Sequence, residues 1–403
     1  MTCGLLGRSL EHSYSPDIHA LLGDYEYDLF EIEPEELEAF LRCNTFTGLN
    51  VTMPYKKSVI AYLDELTPVA RTLGAVNTIV RRQGRLIGHN TDYFGFQYLV
   101  HQTSLSPAGK KCLVLGSGGA SATATAVLRE MDAQVVVISR NGEENYDNLH
   151  RHRDAAILVN TTPVGMYPHT GISPVDLQLF HRLEGVVDLI YNPARTKLLM
   201  EAERLGIPCF NGLTMLVAQA KEACEWFTGT SLPDAEIERV HNQLSHETEN
   251  IILIGMPGCG KTTVGRQLAA QLGRQFVDTD AQIASMMLRS IPDILIRDGE
   301  ASFRTTETRM LELYGKWSHI VLATGGGCVT KEENYDLLHQ NGRVIWLRRD
   351  LDKLSTTGRP LSVDLEDLYR QRQPLYAAFA DFVVDNNGAP ADAVAEIRKH
   401  MKC

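Results

Sequence analysis

The chain has 403 residues, more than one hydrophobic core usually serves, so its length favours two or more folded domains. Hydrophobic residues make up 44% and charged residues 22% of the sequence, which excludes a largely disordered protein. The formal net charge of -11 argues against general binding to nucleic acid or to an anionic membrane, and leaves room only for small, specific cationic pockets.

The N-terminal residues and the cysteines point to the same compartment. No basic stretch followed by a long apolar core opens the chain, and no apolar run approaches the length of a membrane span. The eight cysteines lack paired metal-binding spacing, so we expect reduced thiols. The sequence therefore predicts a cytoplasmic protein with small-molecule substrates and without a nucleic-acid or membrane partner. The oligomeric state stays open between a monomer and a homodimer.

The first elements in chain order form a lobe over residues 1–106. Residues 47–54, TGLNVTMP, are typical of a buried strand that enters a loop, and residues 58–74 are typical of a helix and a turn. A second lobe follows over residues 107–212, and a helical stretch over 213–246 is expected to return to the first lobe. A cleft between two lobes is a natural binding site.

Two apolar, β-rich runs lead directly into a glycine loop and then into a helical pattern, at residues 111–131 and 250–272. Each predicts a strand, a phosphate-binding turn and a helix, which open a nucleotide-binding α/β unit. Between them we expect an amphipathic helix over 233–244 and a short polar linker at 246–249, so that the last domain covers residues 249–403.

The first glycine loop is suited to a dinucleotide. Small residues let the backbone approach a pyrophosphate at the N-terminus of the following helix, although Ser121 stands where a third glycine is usual. The next strand ends at Ser139 and Arg140, and an arginine there can hold a 2′-phosphate, so NADP(H) is favoured over NAD. The loop residues expected to bind this cofactor are Gly116, Gly118, Gly119 and Ala120.

The second glycine loop, residues 255–262, matches G-x-x-x-x-G-K-[ST] in full. Its backbone amides can surround a β-phosphate, Lys261 can reach the β and γ oxygens, and Thr262 can ligate magnesium. The motif predicts binding of ATP and Mg²⁺ but does not identify the group that accepts the phosphate. The residues expected to contact the nucleotide are Gly258, Cys259, Gly260, Lys261, Thr262 and Thr263.

A set of short motifs spans the first half in order: HSYSP (12–16), NVTMPYK (50–56), GAVNT (74–78), NTDYFG (90–95) and LVAQA (216–220). This set resembles shikimate dehydrogenase. The resemblance implies that Lys56 and Asp92 are the catalytic pair, and that Gly212 adds to the NADP site. An ammonium paired with a carboxylate can deliver the proton that a ketone needs once a hydride has reached it. The residues that the resemblance assigns to the substrate are Ser13, Ser15, Asn50, Thr52, Asn77, Tyr191 and Gln219.

The second half carries VDTD (277–280), FR (303–304), GGG (325–327), GRP (358–360) and RQPLY (372–376). This set resembles shikimate kinase. The resemblance implies that Asp278 supports the magnesium ion, that Asp280 contacts the attacking hydroxyl, and that Arg359 closes from a lid to act in catalysis with Lys261. The residues that it assigns to the substrate are Arg304, Gly325, Gly326, Gly327 and Arg372. Two planar arginines suit a small carboxylate.

Three segments depart from these families. NGEEN at 141–145 replaces a second arginine that accompanies NADP preference, so cofactor selectivity is expected to be weaker. The chain between Arg140 and the next strand is short, which suggests that an outer element of the nucleotide lobe is trimmed. The kinase lid is also shortened around Lys353, where an arginine near adenine is replaced.

Together the motifs predict an α/β chain: a two-lobed dehydrogenase with a Rossmann-type NADP domain, followed by a P-loop domain like a nucleoside-monophosphate kinase, with a parallel sheet. The expected reactions are NADPH-dependent reduction of 3-dehydroshikimate to shikimate, then ATP- and Mg²⁺-dependent phosphorylation to shikimate 3-phosphate. Two alternatives stay open: quinate-type specificity in the dehydrogenase half, or one degenerate half that acts as a nucleotide-binding regulatory module. Loss of Lys56, Asp92, Lys261 or Asp280 would favour the second alternative, and all four residues are present.

Overall fold

The computed structural model describes residues 1–10, 13–43, 45–354 and 365–401. Proximity of Cα atoms divides the chain into two compact units. Unit 1 consists of Met1–Met166, Ile172–Tyr191 and Leu198–Leu244. Unit 2 consists of Tyr167–Gly171, Asn192–Lys197 and Ser245–Cys403.

The first lobe of unit 1 is built on a mixed sheet of six strands in the order β2-β1-β3-β5-β6-β4. Strands β1, β2 and β3 are parallel, and β5 runs antiparallel to both of its neighbours. The elements are β1 Thr2–Gly7, α1 Ser15–Leu22, β2 Glu26–Glu31, α2 Leu37–Arg42, β3 Gly48–Val51, β4 Glu65–Leu66, α3 Pro68–Leu73, β5 Thr78–Arg82, β6 Arg85–His89 and α4 Asp92–Gln102, with 3-10 helices at Pro34–Glu36 and Ser58–Tyr62.

The strand expected at residues 47–54 is β3, and all four of its residues are buried. The helix expected to begin at residue 58 is instead a 3-10 turn followed by β4, because Asp64 accepts the backbone N–H of Leu86 at 2.7 Å and ties this segment to the sheet. Helix α3 begins only at Pro68, where the hydroxyl of Thr67 accepts the N–H of Ala70. Proline fits the first turn of a helix, and the residue before it stays extended.

The second lobe of unit 1 is a parallel sheet in the order β11-β10-β9-β7-β8. Its elements, and the helices that follow, are β7 Lys111–Leu115, α5 Gly119–Glu130, β8 Gln134–Ile138, β9 Ile157–Asn160, β10 Gly185–Asp188, α6 Lys197–Arg204, β11 Cys209–Phe210, α7 Leu213–Thr228 and α8 Ala235–Thr248, with 3-10 helices at Tyr146–His152 and Leu177–Leu179. Only the first of these 3-10 helices lies between β8 and β9, where the sequence suggested a trimmed element. Helix α7 returns to the first lobe, as expected, and packs on α1 and α4.

Helix α8 is longer than predicted. The sequence indicated a helix to residue 244 and then a polar linker, but the helix continues to Thr248 and β12 begins at Asn250. The last carbonyl groups of the helix have partners that are distant in sequence: Arg274 donates to His246 at 2.6 Å, and His319 donates to Thr248 at 3.0 Å. Helix ends are stabilised when their free carbonyls are satisfied, which explains why polar residues continue the helix.

Unit 2 contains an all-parallel sheet in the order β13-β14-β12-β15-β16. Strand β12 is buried over all five residues, as the continuous apolar run before its glycine loop predicted. The elements are β12 Asn250–Ile254, α9 Lys261–Leu272, β13 Gln275–Asp278, α10 Thr279–Met287, α11 Ile291–Tyr314, β14 Ile320–Ala323, α12 Asn334–His339, β15 Gly342–Arg348, α13 Leu365–Phe379, β16 Phe382–Asp385 and α14 Pro390–Met401, with 3-10 helices at Cys328–Thr330 and Leu351–Lys353. Helix α11 is kinked at Gly299, which has φ of 80°.

Two further features concern the part of the chain that the structure describes. None of its cysteines, from Cys3 to Cys328, forms a disulfide. None of its helices combines the length and the apolar composition that crossing a bilayer requires.

Candidate active sites

A cavity of about 260 Å³ opens between the two lobes of unit 1. The expected site residues that line it are Ser13, Ser15, Asn50, Thr52, Lys56, Asn77, Asp92, Ala120, Tyr191, Gly212 and Gln219. Apolar residues that the sequence did not assign complete the lining: Leu5, Val51, Leu189, Met215 and Leu216. The cavity therefore brings together residues from both lobes and from α7.

Lys56 and Asp92 form an ion pair at this cavity, with 2.6 Å between Nζ and Oδ2. Lys56 lies in the loop after β3, and Asp92 is the first residue of α4, so two separate segments supply the pair. Their side chains are 27% and 14% exposed, which keeps the ammonium accessible from the cavity while the carboxylate is largely shielded. The arrangement fixes a proton donor beside its counter-ion.

Asn77 holds the other oxygen of Asp92, because its Nδ2 donates to Oδ1 at 2.9 Å. The backbone N–H of Thr91 donates to Oδ1 of Asn77 at 2.7 Å, and the hydroxyl of Thr91 donates to Oε1 of Gln219 at 3.3 Å. Asn77, Thr91 and Gln219 are all buried. The carboxylate is therefore oriented by a network of short-range bonds. Thr91 was not assigned as a site residue, although it lies inside the NTDYFG motif.

Tyr27, on β2, contacts residues that line the unit 1 cavity. Its hydroxyl donates to Oδ1 of Asn50 at 2.7 Å, and its ring stacks on His19 with 4.1 Å between the centroids. Burial raises the pKa of Tyr27 well above its usual value, and a bond to Ser15 opposes that rise. Burial also lowers the pKa of His19 to about 3, so this ring is neutral. Tyr27 thus joins two residues that the sequence assigned to the substrate.

A buried carboxyl group connects α7 to the sheet below the cavity. Glu222 lies one turn after Gln219, and its Oε1 is 3.1 Å from Nε2 of His89. The ring of His89 stacks on Trp226, and its Nδ1 lies 2.9 Å from the hydroxyl of Thr67. Burial raises the pKa of Glu222, and the contact with His89 opposes that rise.

The glycine loop between β7 and α5 lies beside the cavity. Gly116 has φ of 111°, a conformation that favours glycine. A Cβ at Gly118 or Gly119 would meet no atom within 4 Å, so the backbone at the N-terminus of α5 faces open space that a phosphate can enter. Arg140, after β8, is exposed. The other residues expected to bind the dinucleotide do not line the 260 Å³ cavity: Gly116, Gly118, Gly119, Ser139 and Arg140.

Tyr191 and Gly212 lie where the lobes meet the cavity. The ring of Tyr191 packs on Tyr14 with 5.4 Å between centroids, and burial raises the pKa of its phenol. A Cβ at Gly212 would collide with the backbone carbonyl of Leu189. Glycine is needed there because two backbone segments approach closely.

A second cavity, of about 650 Å³, lies in unit 2 at the carboxyl ends of the parallel strands. The expected site residues that line it are Gly258, Gly260, Lys261, Thr262, Thr263, Asp278, Asp280, Arg304, Gly325, Gly326, Gly327 and Arg372. Cys259 is not brought to this cavity, because its side chain is fully buried and its backbone N–H donates to Met256 at 3.2 Å. Arg359 lies outside the described residues.

Lys261 is the first residue of α9 and is 8% exposed. Its ammonium donates to the carbonyl oxygens of Gly255 at 2.8 Å and Met256 at 3.0 Å, which keeps it against the loop. The hydroxyl of Thr262 donates to Oδ2 of Asp278 at 2.7 Å. Lysine, loop amides and helix N-terminus together suit a polyphosphate.

The Thr262–Asp278 pair has the donor chemistry of a magnesium site. Mg²⁺ takes oxygen ligands, and it is commonly held by one or two protein groups together with phosphates and water. Within the described ranges, no cluster of three or more His, Cys, Asp or Glu side chains could hold a metal by itself. The residues present therefore fit a magnesium ion that arrives with its nucleotide.

Arg304 is held by two carboxylates on its own helix, α11. Its Nη1 lies 2.7 Å from Oε2 of Glu307, and its Nη2 lies 3.1 Å from Oε1 of Glu300. The side chain of Glu307 is 0% exposed, and burial raises its pKa while the Arg304 guanidinium opposes the rise. The sequence did not assign Glu307, although an acidic residue three positions after an arginine on a predicted helix is a usable signal.

The three consecutive glycines at 325–327 let the backbone pass close to the side chains of Arg304 and Glu307. A Cβ at Gly327 would overlap the guanidinium of Arg304, one at Gly325 would overlap Glu307, and one at Gly326 would lie 2.7 Å from the Pro257 ring. Arg372 donates to the carbonyl oxygen of Gly326 at 3.1 Å and is 6% exposed. Both arginines expected to bind a carboxylate thus lie on one cavity.

Comparison with known proteins connects each unit to a family. The family model "Shikimate dehydrogenase substrate binding domain" matches residues 5–79, and the model "Shikimate kinase" matches residues 257–402. A shikimate dehydrogenase (NADP(+)) of Clostridium perfringens is 34% identical over 60% of this chain and 97% of its own length. A relative with the same description from Caldanaerobacter subterraneus is 38% identical over 56% of this chain and 91% of its own length.

Solved structures give the same result for the first half. A chorismate mutase/shikimate 5-dehydrogenase fusion protein from Clostridium acetobutylicum matches with a TM-score of 0.58 and 35% identity, over 60% of this chain and 96% of that one. The shikimate 5-dehydrogenase of Thermus thermophilus, in complex with NADP(H) and shikimate, matches with a TM-score of 0.56 and 32% identity, over 60% and 99% of the two chains. These similarities confirm both resemblances and the α/β fold expected from the sequence.

Proposed function

Because the chain belongs to the shikimate dehydrogenase family and carries a shikimate kinase domain in its second half, we propose that it catalyses two consecutive reactions. Unit 1 reduces 3-dehydroshikimate to shikimate with NADPH, and unit 2 phosphorylates shikimate to shikimate 3-phosphate with ATP and Mg²⁺. The observation that carries the first activity is the Lys56–Asp92 ion pair on the cavity between the lobes of unit 1.

In the first reaction, NADPH supplies a hydride to the ring ketone. Lys56 donates a proton from Nζ to the oxygen that becomes a hydroxyl, and Asp92 keeps the ammonium in place until transfer. Asn77 fixes the orientation of Asp92 through the 2.9 Å bond to Oδ1. Ser13 and Ser15 are proposed to bind the carboxylate, with Asn50, Thr52 and Gln219 on the ring hydroxyls.

In the second reaction, ATP supplies the phosphoryl group. Arg304 and Arg372 are proposed to bind the carboxylate of shikimate, which directs the opposite side of the ring towards the glycine loop of unit 2. Asp280 lines the same cavity and is proposed to accept a hydrogen bond from the attacking hydroxyl. Lys261 stabilises the phosphate oxygens, while Thr262 and Asp278 hold the metal ion.

The proposal also includes the domain boundaries, the cellular location and the oligomeric state. In the dehydrogenase, the substrate lobe covers residues 1–106, the NADP lobe covers 107–212 and the closing helices cover 213–246. The kinase covers residues 249–403. A cytoplasmic location suits an enzyme that needs NADPH and ATP. The functional form is a monomer or a homodimer.

A mass-spectrometric time course tests the proposal. The full chain is mixed with 3-dehydroshikimate, NADPH, ATP and Mg²⁺, and each cofactor is omitted in turn. We expect shikimate 3-phosphate in the complete mixture and shikimate alone when ATP is omitted. Shikimate without phosphorylation under every condition would refute the kinase activity, and no turnover of either kind would refute both.

A further inference from the structure

Arg349 is a cation of the unit 2 cavity to which the sequence assigned no role. It follows directly after β15 and lines the cavity together with the glycine loop. A Cβ placed on Gly260 would lie 3.8 Å from Nη1 of Arg349. Because Gly260 is the N-cap of α9, the guanidinium lies at the N-terminal end of that helix.

This position carries positive charge before any ligand is considered. A helix N-terminus is equivalent to roughly half a positive elementary charge. Lys261, the next residue, contributes an ammonium whose hydrogen-bond partners in the described part of the chain are two carbonyl oxygens and the Cys259 thiol. A guanidinium placed beside these groups is repelled by both unless an anion lies among them.

The surrounding carboxylates do not neutralise Arg349. Within the described residues it forms no ion pair and no hydrogen bond, and its Nε is buried. Its neighbour Arg348 lies 3.8 Å from Asp385, and Asp350 lies 3.4 Å from Lys353. Two other carboxyl groups, those of Asp352 and Glu366, line an adjoining cavity with Arg349 without pairing with it.

We propose that Arg349 binds the phosphate chain of the nucleotide as a second cation beside Lys261. The planar guanidinium fork matches two phosphate oxygens at once, a geometry that a lysine cannot offer. The inference rests on the proposed kinase function for the identity of the nucleotide. It adds a nucleotide-binding residue that precedes the expected lid in the sequence.

Isothermal titration calorimetry with the full chain tests this role. ADP and adenosine are titrated in the presence of Mg²⁺ into the wild-type chain and into Arg349→Ala. Loss of a hydrogen bond to a charged group weakens binding by about tenfold or more, so we expect that loss for ADP and an unchanged dissociation constant for adenosine. An equal loss for both ligands would assign Arg349 to the nucleoside part of the ligand, and an unchanged affinity for ADP would remove it from the site. Either result overturns the inference.

Arg348→Ala is the matched control, because this adjacent arginine is exposed and lies near Asp385. We expect it to change ADP affinity by less than about twofold. Arg349→Lys keeps the charge without the fork and should lie between wild type and Arg349→Ala, which provides a measurement if the alanine variant does not fold. Dehydrogenase activity reports whether unit 1 of each variant is intact.

The same titrations separate this inference from the kinase proposal. Binding of ADP that depends on Arg349, without phosphorylation of shikimate, would refute the kinase activity and leave the inference standing. A wild-type chain that binds no ADP would overturn both.

Discussion

The two cavities differ in their balance of charge. Among the described residues, the charged ones that line the unit 1 cavity are Lys56 and Asp92, one of each sign, and they bond to each other. The charged residues that line the unit 2 cavity are Lys261, Arg304, Arg349, Arg372, Asp278 and Asp280. Cations thus outnumber carboxylates two to one along the described lining of unit 2.

This difference follows from what each site is proposed to bind. Reduction of a ketone develops one negative charge, which a single paired ammonium can neutralise by giving up a proton. Phosphoryl transfer brings a polyphosphate and a carboxylate into one cavity, so several cations must be present in advance. Unit 1 is consequently organised by side chains that bond to one another, and unit 2 by cations held on backbone carbonyls and on Glu307.

Removal of the Lys56 ammonium from the unit 1 cavity should have the largest effect. We expect Lys56→Ala to lower kcat for reduction of 3-dehydroshikimate by about 10²- to 10⁴-fold, because the proton donor is lost. The check is the initial rate of NADPH oxidation, with kinase activity on shikimate as the control for folding. Lys57→Ala, the neighbouring lysine, should leave both rates unchanged. A fall of less than tenfold in Lys56→Ala would contradict its role.

Neutralising Glu307 should perturb the cationic site. Glu307→Gln removes the buried charge opposite Arg304 and should lower the free energy of unfolding of unit 2 by about 2 kcal/mol. Urea denaturation in a Trp226→Phe background measures this, because the remaining tryptophans, Trp317 and Trp346, both lie in unit 2.

Glu300→Gln is the control for that experiment, since Glu300 contacts the same arginine but its side chain is 52% exposed. Exposed pairs contribute about 0.5 kcal/mol. Equal losses in the two variants would show that burial of Glu307 does not organise the site.

A smaller effect is expected where unit 1 positions its substrate groups. Tyr27→Phe removes the 2.7 Å bond to Asn50 and should raise KM for 3-dehydroshikimate about fivefold with little change in kcat. Steady-state kinetics gives both values. Tyr25→Phe is the control, because the Tyr25 hydroxyl bonds to His19 and not to a residue that lines the cavity. A fall in kcat at constant KM would refute a positioning role for Tyr27.

The smallest effect concerns pH and the carboxyl group below the unit 1 cavity. Burial raises the pKa of Glu222 above its ordinary 4.5, so the folded chain holds this proton more tightly than the unfolded chain. Stability is therefore lost as pH rises from about 4.5 through the folded pKa. We expect Glu222→Gln to reduce the loss of unfolding free energy between pH 4.5 and 7.

Trp226 reports unit 1 in a Trp317→Phe/Trp346→Phe background, so urea denaturation at the two pH values provides the comparison. Glu225→Gln is the control, because Glu225 lies on the same helix and pairs with Lys221 at 3.0 Å. An equally steep loss in Glu222→Gln would assign the pH dependence to other groups.

The sequence predicted the parts of both units that depend on local pattern. Buried strands before glycine loops and the helices after them follow from composition and spacing within short segments. The catalytic and substrate residues on both cavities came from the resemblance of short motifs to two families. Tyr27 could not be found this way, because it lies 23 residues from Asn50 on a strand with an irregular burial pattern. Arg349 acquires its position only through the packing of β15 beside β12. The extension of α8 depends on Arg274 and His319, which donate to the last carbonyl groups of the helix. Partners so distant in sequence cannot be predicted from a local pattern.

The most direct test of two complete, independent sites combines variants that each lack one activity. Lys56→Ala and Lys261→Ala are assayed separately and as a mixture for conversion of 3-dehydroshikimate to shikimate 3-phosphate, with NADPH, ATP and Mg²⁺ present. We expect Lys56→Ala alone to form the product at about a hundredth of the wild-type rate or less. Lys261→Ala alone should accumulate shikimate, and the mixture should form shikimate 3-phosphate after a lag. A mixture that forms no product although both variants are folded would contradict the account.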